Sequence, residues 1–116
     1  MSLASKRKTN TTKTFKRLMT VFSDGTATQQ EQVAPLVQRT AFLLTAAAEL
    51  EETMQENGFT ATYDNGGGQR GSMVSAEMKS YNICISQINA LYKTLKAFAV
   101  TEEQEDSLTA FLKKQK

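Results

Sequence analysis

Between residues 74 and 95, apolar side chains return at every third or fourth position. They run Val74, Met78, Tyr81, Ile85, Ile88, Tyr92 and Leu95, with steps of 4-3-4-3-4-3. A repeat of 3.5 residues holds one stripe on one side of an α-helix, and such a stripe is the seam along which two helices pair. A second seam, Leu36, Thr40, Leu43, Ala47, Leu50 and Met54, steps 4-3-4-3-4. Two long helices with matching seams and a connector of about 15 residues predict an antiparallel hairpin, and with it an all-α fold class.

The first seam helix is expected over roughly residues 30–57, within a few positions at either end. Thr28-Gln29-Gln30-Glu31 has the form of a capping box, and Asn57-Gly58 is a stop signal. Pro35 lacks the backbone donor and crowds the turn before it, so either the helix bends there or it begins nearer Ala34. Phe59-Thr60-Ala61-Thr62-Tyr63 alternates large and small residues and offers a short β segment. Asp64 to Gly71 holds four glycines in eight residues, which no helix survives and which predicts a turn or excursion. The second seam helix is expected from Ser75 to Ala99. Thr101-Glu102-Glu103-Gln104, another capping box, opens a last helix carrying Leu108, Phe111 and Leu112.

Upstream of the hairpin the chain changes character. Residues 1–12 are polar and basic, with almost nothing to bury against the entropy of ordering, and are expected to be flexible. Phe15, Leu18, Met19 and Phe22, spaced i, i+3, i+4, i+7, predict a short helix that Ser23-Asp24-Gly25 ends. The organisation is therefore a basic N-terminal arm and short helix over 1–23, then a hairpin with a C-terminal helix over 24–116, in a single domain. The outer flanks of the seams are also apolar: Val37, Leu44 and Ala48 on the first helix, Ile83 and Leu91 on the second. Stripes broader than one partner needs predict self-association, against the alternative of a monomer whose last helix covers them.

Composition closes off most chemistry. The 116 residues contain no histidine and one cysteine, Cys84, which excludes a zinc site built from those ligands, a histidine-based triad and an intrachain disulfide. Cys84 lies inside the second seam helix and reads as a small buried hydrophobe. No stretch approaches the ~18 apolar residues of a membrane span. No apolar run follows Lys6-Arg7-Lys8, so no secretory signal is visible, and with a single cysteine a reducing compartment is the default expectation. Gly66-Gly67-Gly68-Gln69-Arg70-Gly71 has neither the lysine nor the spacing of a phosphate-cradling loop. Glu49, Glu51, Glu52 and Glu56 spread around a helix end and read as a solvated face rather than a magnesium or acid–base site. No cofactor and no metal is expected, and no enzyme activity.

Charge is the positive signal. The net charge is only +2, yet Lys6, Arg7, Lys8, Lys13, Lys16 and Arg17 stand in the first 23 residues beside none of the 12 acids. Such asymmetry points to a polyanion partner, because cations that neutralise phosphates release condensed counterions. Phe15 and Phe22, interleaved with these cations, read as hydrophobic anchors rather than base-stacking platforms.

The segment from 49 to 101 resembles the small subunit of phage terminases, the DNA-packaging enzymes of tailed phages. The resemblance lies in Leu50-Glu51-Glu52, Asn57-Gly58-Phe59, the connector from Tyr63 to Gly71, Tyr81-Asn82, Leu95 and Phe98-Ala99-Val100-Thr101-Glu102. Many relatives have a proline after the connector, where Met73-Val74-Ser75 stands here. The resemblance implies a non-catalytic helical protein that assembles into a ring, binds double-stranded viral DNA and regulates the large ATPase–nuclease subunit in the host cytoplasm. By position and charge, Lys6, Arg7, Lys8, Lys13, Lys16 and Arg17 are the expected phosphate contacts, with Arg70 on the connector as an outside candidate. The competing reading is a helical oligomerisation or adaptor module with a solubilising basic tail. A secreted helical hairpin is disfavoured, since the inter-helix loop lacks the tryptophan of that group.

Overall fold

The computed structural model describes residues 2–64 and 70–114. Four helices and one two-stranded ribbon follow in the order α1 (Leu3–Met19), a 3-10 turn (Thr20–Phe22), α2 (Ala27–Asn57), β1 (Thr60–Asp64), β2 (Arg70–Val74), α3 (Ala76–Phe98) and α4 (Glu102–Lys114). The fold is all-α with a short β segment in the connector. Helices α2 and α3 form the antiparallel hairpin that the two seams predict, and α1 also packs along α2.

The helix ends follow from side-chain caps. Ser75 Oγ accepts the Met78 N–H at 3.1 Å and starts α3 where the seam begins. Thr101 Oγ1 accepts the Gln104 N–H at 3.1 Å and starts α4. Helix α2 starts earlier than expected: Thr26, not Thr28, is the N-cap, its hydroxyl accepting the Gln29 N–H at 3.1 Å. Pro35 neither ends nor delays α2. It lies on an exposed face and, as a proline, donates no N–H to the Glu31 carbonyl. Gly58 closes α2 with φ +82° and ψ −177°, a conformation in which a Cβ is strained, and its N–H reaches the Met54 carbonyl at 2.7 Å.

The connector is more regular than its glycines predict. β1 and β2 pair antiparallel in the register Thr60↔Val74, Ala61↔Met73 and Thr62↔Ser72. The strand expected at 59–63 is therefore present, and it recruits residues 70–74 as a second strand. Residues 65–69, with Gly66, Gly67, Gly68 and Gln69, lie outside the described residues.

The largest difference from expectation is the N-terminus. Residues 3–12 are not a flexible arm but the first turns of a 17-residue helix. Apolar burial does not order these residues. Instead, Ser2 caps the helix by accepting the Ser5 N–H at 3.1 Å, and α1 is tied to α2 through polar groups far away in sequence. Because α1 lies on α2, the Val37 and Leu44 flank of the first seam faces α1 within the same chain. Val37 is 0% exposed, so this flank is not left for a second copy. Ala48 and Ile83 do stand exposed, and Leu91 is half-buried.

The principal core sits at one end of the body. Leu18, Val21, Phe22, Val33, Val37, Leu95, Leu108 and Phe111 pack together there, joining α1, the 3-10 turn, α2, α3 and α4. Phe15 packs against this cluster, so both phenylalanines of the basic region are anchors. Beneath the core a buried amide pair ties the chain's turns together. Gln29 Nε2 donates to Gln104 Oε1 at 2.9 Å and to the Phe98 carbonyl at 2.8 Å, while Gln104 Nε2 donates to Gln29 Oε1 and to Asp24 Oδ1, both at 3.0 Å. Gln104 Oε1 also accepts the Val100 N–H at 2.9 Å. The whole molecule is elongated, 65 × 33 × 21 Å with a radius of gyration of 18.0 Å, against about 13 Å for a compact chain of this length.

Candidate nucleic-acid interface

Helix α1 sorts its residues by angle. At 100° per residue, Thr11, Phe15 and Leu18 share the side that packs on the rest of the molecule, and Thr11 and Leu18 are its buried positions. Lys6, Lys13, Lys16 and Arg17 fall within about 100° of arc on the opposite side, all exposed. From Lys6 to Arg17 this stripe is about 17 Å long, at 1.5 Å per residue. Lys8 is exposed but stands apart from it. No acid lies in the first turn of α1, and Lys16 and Arg17 occupy the last, where cations complement the helix dipole.

Two of the six cations are engaged within the chain. Arg7 makes a two-pronged ion pair with Glu49: its Nε donates to Oε2 at 2.8 Å, and its Nη2 donates to Oε1. These hydrogen bonds hold the Glu49 carboxyl below the usual carboxylate range and push the Arg7 guanidinium further above its ordinary value. The reading of the acidic cluster as a purely solvated face is corrected at this residue. One helical turn along, Thr11 Oγ1 donates to Thr45 Oγ1 at 3.3 Å. Arg17 lies over the Phe111 ring of α4, 5.6 Å from its centroid, and so connects the stripe to the core.

An open groove runs between α1, from Leu3 to Arg17, and the second half of α2. Lys6, Arg7 and Lys13 wall one side, and Glu49, Glu52 and Glu56 the other. One edge of the basic stripe is therefore the rim of a groove whose far wall is acidic. Glu51 lines the same groove and also lies near α3, where the burial of Tyr81 and the Glu51 charge push the Tyr81 hydroxyl up. Backbone atoms place Arg70 at the first position of β2, while its side chain lies outside the described residues. Cys84 is half-buried within α3, consistent with packing rather than chemistry.

Among the described residues, no three histidine, cysteine or acidic side chains are grouped to hold a metal ion. No helix there is long and apolar enough to cross a membrane. The arrangement defines a helical body that presents a ribbon of positive charge on one exposed helix. Comparison with family models, curated proteins and solved structures finds no match.

Proposed function

We propose that this chain is a small terminase subunit of a tailed phage or prophage, a non-catalytic protein that binds double-stranded DNA and regulates a large ATPase–nuclease subunit during genome packaging in the host cytoplasm. The observation that carries the proposal is the exposed stripe of Lys6, Lys13, Lys16 and Arg17 on a helix whose opposite face is packed. Cations held at helical spacing meet a phosphate backbone with less ordering cost than the same cations on a loose tail, which favours a binding role over a solubilising one. The resemblance of residues 49–101 to the small-subunit family supplies the packaging role.

Homo-oligomeric assembly, as a ring, belongs to the same proposal. A single chain offers few phosphate contacts, and several copies side by side multiply weak contacts into useful avidity. The thin, elongated body supports assembly, as do the exposed apolar side chains Phe59, Met73, Val74, Ile83 and Val100.

Retention of a duplex DNA across a salt series tests the reading. The slope of log K against log salt flattens by about 0.9 for each phosphate that is no longer neutralised, so Lys6→Gln, Lys13→Gln and Lys16→Gln together are expected to flatten it by about 2.7. Binding that is absent, or indifferent to salt and to these substitutions, overturns it in favour of the adaptor module. Light scattering addresses assembly: a clean monomer at high micromolar concentration removes the ring.

A further inference from the structure

The Arg7–Glu49 pair has a shape that matters for a DNA-binding helix. A guanidinium that presents two parallel N–H donors fits a carboxylate and a phosphate equally well, and it can serve only one of them at a time. We propose that the acidic end of α2 is a built-in competitor for the cations of α1, a latch that an arriving polyanion opens. This rests on the reading of α1 as a DNA-binding helix and names the regulation of that same surface.

Three observations support the latch. Glu49 already holds Arg7 in the fork geometry that a phosphate would take. Glu52 and Glu56 line the same groove as Lys6 and Lys13, so a phosphate approaching the rim meets a fixed negative wall until α1 swings away from it. Residues 3–10 of α1 are all exposed, and the first buried position is Thr11, held by a hydroxyl–hydroxyl contact. The apolar anchoring of α1 begins at its far half, with Phe15, Leu18 and Met19. The first two turns thus bury no apolar residue and can leave α2 without disturbing the core. Exposed ion pairs are screened by salt as phosphate contacts are, so latch and ligand respond to the same ionic conditions.

The test compares the full chain with Glu49→Gln, by fluorescence anisotropy with a 20-base-pair duplex of arbitrary sequence. With its competitor gone, Arg7 meets a phosphate without first breaking an ion pair, so Glu49→Gln is expected to bind about 2- to 5-fold tighter at low salt. Adding Arg7→Gln to Glu49→Gln is expected to abolish that increase. Glu31→Gln changes net charge equally at an exposed site away from the groove. Tightening by Glu31→Gln equal to that from Glu49→Gln overturns the latch, because net charge alone then accounts for it. A readout without DNA separates the latch from the function: amide hydrogen exchange over residues 3–12 is expected to quicken several-fold in Glu49→Gln, while that of Leu18 to Phe22 stays unchanged. Unchanged exchange over 3–12 overturns the latch whatever the DNA result. Wild-type protein that shows no salt-dependent binding overturns the DNA-binding reading instead.

Discussion

Replacing Gln104 by alanine tests whether the buried amide pair holds the fold together. Gln104 is 1% exposed, and its side-chain amide makes four hydrogen bonds, to Gln29 twice, to the Val100 N–H and to Asp24. Alanine leaves the Gln29 carbonyl oxygen and the Val100 N–H without their partners, while Gln29 Nε2 keeps the Phe98 carbonyl. Only the Gln29 oxygen is buried, since Val100 is 75% exposed; one stranded group costs about 1–3 kcal/mol, and with the vacated volume the expected loss is about 2–4 kcal/mol. Against a total stability of about 5–15 kcal/mol this is substantial, and at about 4 °C per kcal/mol the midpoint of thermal unfolding falls by about 8 °C or more. Circular dichroism melts and urea titrations of wild type, Gln104→Ala, Gln29→Ala and the double variant measure it as a cycle. A coupling of at least about 1.5 kcal/mol is expected, since removing both partners strands fewer groups than the two single removals together. Additive losses, or a Gln104→Ala cost below about 1 kcal/mol, refute the assignment of this pair as the fastener between α2 and α4.

Other substitutions check neighbouring parts of the fold. An added Cβ at Gly25 meets Gln29 Oε1 at 1.7 Å, so Gly25→Ala displaces the Gln29 amide, with an expected loss of about 1–3 kcal/mol in chemical denaturation. Gly58→Ala meets open space but strains the backbone at φ +82°, and is expected to cost about 1–3 kcal/mol by the same assay. Tyr92 buries a hydroxyl with no hydrogen-bond partner among the described residues, so Tyr92→Phe is expected to be neutral or stabilising by about 1 kcal/mol in urea titration. Burial pushes the Tyr92 hydroxyl up to about 12, from 10.0. The unfolded chain therefore loses this proton first, and stability is expected to fall as pH rises from about 10 toward 12, less steeply in Tyr92→Phe.

The hairpin was legible because its information is local. The seam of α3 and its cap at Ser75 lie within one stretch of chain, and the helix begins one residue after that cap. The breadth of the α2 stripe was legible as well, but not what covers it. The partner proved to be α1, whose first half carries too little apolar surface for any periodicity to register. Its fastening pair, Arg7 and Glu49, stands 42 positions apart, and the second residue of that pair reads from sequence as one solvated acid among four. At the start of α2, Thr26-Ala27-Thr28-Gln29 overlaps Thr28-Gln29-Gln30-Glu31 as a capping pattern, and Gln29 has its amide engaged with Gln104 and Phe98 rather than returned to the cap. Residues 70–74 form a strand only because β1 lies beside them; their own alternation is weak. The basic stripe needed both levels: the six cations were plain in the sequence, but their sorting by angle depended on residues 3–12 being helical.

The apolar core of the molecule lies at the end where the last turn of α1 meets the first of α2, while the opening turns of α1, the acidic tail of α2 and the ribbon lie at the other. A rearrangement of those opening turns therefore leaves the principal core undisturbed, because they bury no apolar residue.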